Sequence, residues 1–322
     1  MSTVADRKAM IAGSPRSGTT WLGSIFDSNP ETLYLHEPDV VEREPRLPFI
    51  PTADRPNPPT VVTREYFERL AGNRSVRTVF TREPFPKAYR TSLSHRMRQG
   101  TIKALRLADA VVPAVGRSRL LRVPNFGSRR PELTVVKSVD SITRLPAFVD
   151  ALPEVHFFYA IRHPCGVTRS KMRGVALGRM AEPPLYSDLF TLPPAEGVDA
   201  EDAKGWPLAR KIAFEWLATN EWVLDEAGGR PNVTVVNYDT LANDPLAEAP
   251  ALFAAAGIPM ARQTEAYLHR LLGTARGQGD YFAIGRNPAA AANEWQTGLD
   301  AKDRALVERT VAGSRVGALF GL

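Results

Sequence analysis

Short apolar runs alternate with helix-periodic stretches along this chain, and that alternation constrains its fold more than any other feature. The clearest run is Val155 to Ile161, VHFFYAI, whose nearly continuous apolarity fits a parallel strand covered on both faces. Lys8 to Ser14, Thr32 to Leu35, Val76 to Thr81, Leu133 to Lys137 and Val233 to Val236 read as further strands. Helical spacing runs from Gly18 to Ser28, Arg64 to Leu70, Thr143 to Ala151, onward from near Pro164, from Trp206 to Glu226, and from Leu246 to Ala256. Strands alternating with helices predict an α/β fold of three layers, a central, mostly parallel sheet flanked by helices. Proline-rich Glu42 to Thr60 and turn-rich Arg179 to Gly205 interrupt the pattern and read as inserted loops over one 322-residue domain.

Hydrophobic residues at 43% and charged residues at 24% exclude a disordered or fibrous chain. One cysteine, Cys165, excludes an internal disulfide framework, and five scattered histidines make a zinc site a poor expectation. The start MSTVADRKAM offers no secretory core, and no apolar run reaches the roughly 20 residues of a membrane span, so a cytoplasmic protein is expected. Net charge is +6, yet residues 82 to 130 hold twelve Lys/Arg against two acids, so the basic character belongs to one segment. That segment reads either as an acceptor-side surface for an anionic molecule or as the solvated face of helices, with Leu93, Met97, Leu105, Ala108 and Val112 turned inward. Nucleic acid is not the expected partner, because Tyr89 and Phe126 are too few to interleave stacking with the charge.

The loop after the first strand carries the chemistry. In GSPRSGTTWL, residues 13 to 22, a tight Gly/Ser turn ends where a helix begins, so backbone N–H groups and the helix terminus converge on a phosphate-like anion. The Gly13-x4-Gly18 spacing copies the P-loop frame, but Thr19 stands where a nucleotide triphosphatase needs lysine, and the cation is Arg16.

The loop PRSGTTWL resembles the 5′-phosphosulfate loop of sulfotransferases that use 3′-phosphoadenosine-5′-phosphosulfate (PAPS) as donor. Those enzymes also carry a 3′-phosphate motif, an arginine at a strand end with a serine eight residues on, and VHFFYAIRHPCGVTRSKM supplies Arg162 and Ser170 in that frame. SNPETLYLHEPDV, VVKSVD and VVNYDTLANDPLAEAPALFAAAGIP are similar to further segments of the carbohydrate-type branch. One departure stands out: Asp140 occupies the position of that family's K-S-V-R arginine.

The resemblance implies a P-loop-like fold and sulfuryl transfer from PAPS to a hydroxyl of a glycan, glycolipid or other small-molecule acceptor, with no metal. It implies that Ser14, Pro15, Arg16, Ser17, Gly18, Thr19, Thr20 and Trp21 hold the phosphosulfate, and that Arg162 and Ser170 hold the 3′-phosphate. Lys137 becomes the candidate for stabilising the leaving oxygen and Glu37 the candidate general base, its pKa raised by partial burial. His36 is the adjacent rival, and strand alternation allows only one of the two to face the site. A cytosolic-type histidine base is missing, because its slot holds Val139. Tyr238 reads as an adenine contact or a core residue. Near the C-terminus Arg286, or Arg276 instead, would reach the 3′-phosphate with Trp295 as packing anchor. His95, His156, His163 and His269 read as structural. A phosphotransferase built on the same loop, or a nucleotide-binding protein without chemistry, remains the alternative. The oligomeric state is not readable from the sequence. The sulfotransferase reading requires Gly18 and Ser170 to meet at one site.

Overall fold

A computed structural model describes residues 7–81, 83–111, 121–182, 185, 187–274 and 287–322. Arg276, Arg286 and Val112 lie outside the described residues. The chain runs β1 (Arg7–Ala12), α1 (Thr19–Ser28), β2 (Thr32–His36), α2 (Thr60–Gly72), α3 (Val76–Val79), α4 (Ser92–Val111) and β3 (Leu133–Ser138). It continues through α5 (Leu145–Ala151), β4 (His156–Ile161), α6 (Pro164–Ala176), α7 (Ala200–Lys204), α8 (Leu208–Ala227), β5 (Val233–Asn237), α9 (Tyr238–Asn243), α10 (Pro245–Ala255), α11 (Arg262–Leu272) and α12 (Pro288–Asn293). The five strands form one sheet in the order β2-β3-β1-β4-β5, and every pairing is parallel.

Alternation along β1 explains why both sheet faces need helices. Ala9 and Ile11 pack with Leu22, Ile25, Phe26 and Phe253 on one face, whereas Met10 and Ala12 pack with Phe67, Phe148 and Trp216 on the other. All four β1 residues are fully buried. From β1 the chain leaves toward β2 on one side, and from β4 it leaves toward β5 on the other. The reversal opens a crevice at the C-terminal ends of β1 and β4, where ligands of open α/β sheets bind. Among the described residues no helix is long and apolar enough to cross a membrane.

Three local expectations change. Val76 to Thr81 is not a strand: residues Val76–Val79 form a helical turn, because Ser75 caps it by accepting from the Thr78 amide at 3.4 Å. Val76 and Val79, three apart, then fall on one face and enter the core. The apolar side of α4 is reversed as well: Leu93 is 61% and Met97 54% exposed, while Ile102 and Arg98 are buried. Finally, 179–205 is not all loop, since 3-10 turns at Ser187–Thr191 and Pro193–Ala195 and helix α7 occupy part of it.

The two insertions pack on each other. Ile50 joins Leu189 and Leu192 in a small apolar cluster, and Arg55 pairs with Asp188. The Phe49 carbonyl accepts from Thr143 Oγ1, and the Pro48 carbonyl accepts from Arg144 Nε at 3.1 Å, which fixes the first insertion to the region after β3.

Candidate active site

The loop between β1 and α1 is shaped by two left-handed residues. Gly18 has φ +83°, and a Cβ there would lie 2.1 Å from the Tyr238 ring, so only glycine fits. Arg16 has φ +77°, which costs about 1–2 kcal/mol in a residue with a side chain. The Ser17 amide donates to the Ser14 carbonyl at 3.0 Å and closes the turn. Among the described residues no side chain caps α1, and its first turn carries no acid, so the helix terminus is left open to an anion.

The second motif meets this loop. Arg16 Nε donates to Ser170 Oγ at 2.8 Å, across 154 residues of chain. Arg162 Nη1 donates to the Arg16 carbonyl at 3.2 Å and Nη2 to the Ala291 carbonyl at 2.6 Å, so its fork ties the loop to α12. Its guanidinium also lies 5.0 Å from the centre of the Tyr238 ring. Ser14, Ser17, Thr19, Trp21, Arg162, Ser170 and Tyr238 are all buried, whereas Pro15, Arg16, Gly18 and Thr20 are partly exposed. Ser17 Oγ, Trp21 Nε1 and Arg162 Nε are buried with no hydrogen-bond partner among the described residues. Three orphaned groups around one strained loop fit an anionic ligand, since a buried donor left unmade costs about 1–3 kcal/mol.

At the neighbouring strand ends, Lys137 is 1% exposed and donates to Glu37 Oε1 at 2.5 Å. It is therefore not a strand-end lysine reaching solvent. The Glu37 amide donates to the Lys137 carbonyl at 2.8 Å, extending the β2–β3 pairing by one bond. Glu37 itself has φ +46°, and it and Arg16 are the non-glycine residues of positive φ among those described. That kink defeats strand alternation. His36 and Glu37 do not point apart: His36 Nε2 lies 3.8 Å from Glu37 Oε1, and His36 Nδ1 is 3.0 Å from the Tyr34 hydroxyl.

The charge state of Glu37 differs from the sequence expectation. Burial raises its pKa, but the Lys137 charge, then His36, the Lys137 hydrogen bond and Arg77, outweigh it, and the net shift is downward. Burial pushes Lys137 down in turn, against the pull of Glu37.

Several residues here carried no sequence signal. Buried Asp39 accepts from Ser138 Oγ and, at 3.0 Å, from Ser141 Oγ, and burial raises its pKa. This cluster pins the turn after Glu37 to the turn after β3. The H-E-P-D and K-S-V-D-S runs contain these residues, but nothing in either run announces that they touch. Asp140, standing for the family's arginine, lies 3.7 Å from Arg43 of the first insertion.

Tyr238 is 7% exposed, with its ring against Gly18 and edge-on to Trp21, so it forms the floor of the loop. Trp295 stacks on His163 at 4.2 Å, and His163 accepts from the Cys165 amide as the cap of α6. His156 pairs with Thr234, and His269 is exposed beside Glu265. Burial is the first cause of a lowered pKa at His95. Cys165 is buried, its thiol pushed up to about 12 by burial.

A family model described as "Sulfotransferase family" matches residues 9–262. Among solved structures the chain is similar to the sulfotransferase domain of the Synechococcus PCC 7002 olefin synthase, at 16% identity, 96% coverage of each chain and TM-score 0.44. It is also similar to a Mycobacterium avium sulfotransferase, at 13% identity, 95% and 76% coverage and TM-score 0.43. A third is a Mycobacterium tuberculosis H37Rv sulfotransferase, at 17% identity, 96% and 78% coverage and TM-score 0.41. No curated protein sequence matches.

Proposed function

We propose that this chain, which belongs to the sulfotransferase family, works as one domain to move a sulfuryl group from PAPS to a hydroxyl acceptor, with a saccharide hydroxyl the leading class. The observation that carries this reading is the Arg16–Ser170 hydrogen bond of 2.8 Å, which joins the two anion motifs at the sheet's crevice. When bound, PAPS supplies a sulfuryl group attached to a phosphate leaving group.

In this reading the 13–20 loop amides, Arg16, Ser17 and Trp21 Nε1 hold the phosphosulfate end, and Arg162 with Ser170 holds the 3′-phosphate. Tyr238 supports the loop from below. Lys137 donates to Glu37 alone among the described residues, which leaves two of its N–H donors for a ligand. It is the group suited to charge that develops on the leaving oxygen. Glu37, kept ionised by its cationic neighbours, takes the acceptor's hydroxyl proton on a carboxylate oxygen. The paired insertions, the first beginning five residues after Glu37, form the acceptor side.

A PAPS-dependent screen of sugars, glycolipids and small alcohols tests the reading, with Glu37→Gln as control. That variant should lower turnover about 100-fold while donor affinity stays within about twofold. Normal turnover with weakened donor binding would remove Glu37 from the role of base. Failure to transfer to any acceptor while 3′-phosphoadenosine-5′-phosphate still binds would favour a binding protein without chemistry.

A further inference from the structure

The opposite edge of the sheet holds a second charged site. A cavity of about 340 Å3 lies at the N-terminal ends of the strands, lined by Lys8 of β1, Leu33 of β2 and Thr134 of β3. Arg74, Arg90, Arg98 and Arg130 also line it, and Glu68 is the one acid among the described lining residues. Lys8 already engages both Glu68 oxygens at 2.8 Å. Among the described residues the lining therefore carries four arginines, of which Arg98 is buried, Arg74 and Arg90 are half-buried and Arg130 is exposed.

Two of these arginines show what the cavity lacks. Arg98 is 8% exposed and donates from Nη2 to the Val79 carbonyl at 3.1 Å, a neutral acceptor that orients the guanidinium without cancelling its charge. Arg90 lies over the Tyr89 ring at 4.6 Å, and its Nε is buried without a hydrogen-bond partner among the described residues. Burial, and next the charge of Arg90, lower the Arg98 pKa to about 10, so like charges are crowded there and still protonated at neutral pH. Asp27, already paired with Lys87, is the carboxylate that acts on Arg98 and offsets this crowding only in part, and forked guanidiniums match tetrahedral oxyanions.

We propose that this cavity binds a small metabolite bearing more than one phosphoryl or sulfuryl group, at the sheet edge away from the candidate transfer site. The volume suits a compact molecule. Tyr89 anchors the wall by donating to the Thr32 carbonyl at 3.3 Å, where β2 starts.

Pyrophosphate titrated calorimetrically into the full chain provides the test, alongside Arg90→Gln and Arg16→Ala, the latter in the loop that would hold the phosphosulfate. Arg90→Gln should weaken binding at least tenfold with its thermal melt unchanged, and Arg16→Ala should leave it within twofold. The reverse pattern would place pyrophosphate at the transfer site and overturn the proposal, as would a flat titration of the unaltered chain. Arg130→Gln gives a second reading should Arg90→Gln melt early, and unchanged affinity there also overturns it. Sulfate in place of pyrophosphate should bind at least tenfold more weakly, and equal affinity would refute the need for more than one oxyanion.

Discussion

Among the described residues Lys87, Lys137 and Lys171 are each buried on a carboxylate, and the first two differ in what each lysine has left to give. Lys87 donates to Asp27 Oδ1 at 2.8 Å, to the Asp27 carbonyl and to the Asn29 carbonyl at 3.3 Å. Its three donors are used, and it staples the end of α1 to the segment before α4. Lys137 is equally buried but has one acceptor, Glu37, on a backbone held at positive φ. In both, burial is the first cause of a lowered lysine pKa. A saturated buried pair holds the fold. An unsaturated one beside a strained turn holds capacity for a ligand.

Removing each ammonium should separate the two lysines most clearly. Lys87→Met should cost about 3–5 kcal/mol of stability, because it leaves a buried carboxylate and two carbonyls unmatched. Lys137→Met should instead cut turnover about 100- to 1,000-fold with a smaller loss of melting temperature. Chemical denaturation and steady-state transfer rates together decide, and equal stability losses with equal residual activity would end the distinction.

The pH profile sharpens the same contrast. With its folded pKa below the ordinary 4.5, Glu37 stays ionised at neutral pH, so the acid limb of turnover should fall below pH 4.5. The pair's contribution to stability is full above the unfolded carboxyl value and lost as pH drops through the folded one. An acid limb in the ordinary imidazole range would move the base to His36.

Smaller effects are expected farther from the reacting end. Arg162→Ala should raise the donor Kd by about 1.5–3 kcal/mol, roughly 10- to 150-fold, with turnover at saturation nearly kept. His163 tests a third way of hiding a titratable group, by keeping it neutral. Burial lowers its pKa to about 4, so the unfolded chain binds the extra proton between its ordinary 6.5 and 4, and stability falls as pH falls through that window. The loss should be on the order of 2 kcal/mol after solvent screening, and acid titration of His163→Gln should flatten it. An unchanged acid slope would show that other groups set it.

Much of the sheet was legible because apolar period and length are local properties: β1, β2, β3, β4 and β5 all match predicted runs to within two residues. Val76 to Thr81 was misread because β-branched residues also fill the buried face of a short helix, and the deciding Ser75 cap is a single hydroxyl. On α4 the periodicity was real but its polarity was not, since Arg98 turns inward to donate to the Val79 carbonyl. At the candidate site, the loop glycine announced itself because Gly18 must be left-handed. The kink at Glu37 and the Asp39, Ser138 and Ser141 cluster did not, since each depends on segments about 100 residues apart.

The alternation of strands and helices, the glycine-rich loop after β1 and the spacing of Arg162 and Ser170 are written locally in the chain, because short-range periodicity and backbone sterics act within a few residues. Three outcomes come from the folded arrangement instead: Arg16 meets Ser170, Lys137 is buried on Glu37, and four arginines line a cavity at the N-terminal ends of the strands. Those outcomes depend on which strands become neighbours, and burial and electrostatic coupling exist only once they do.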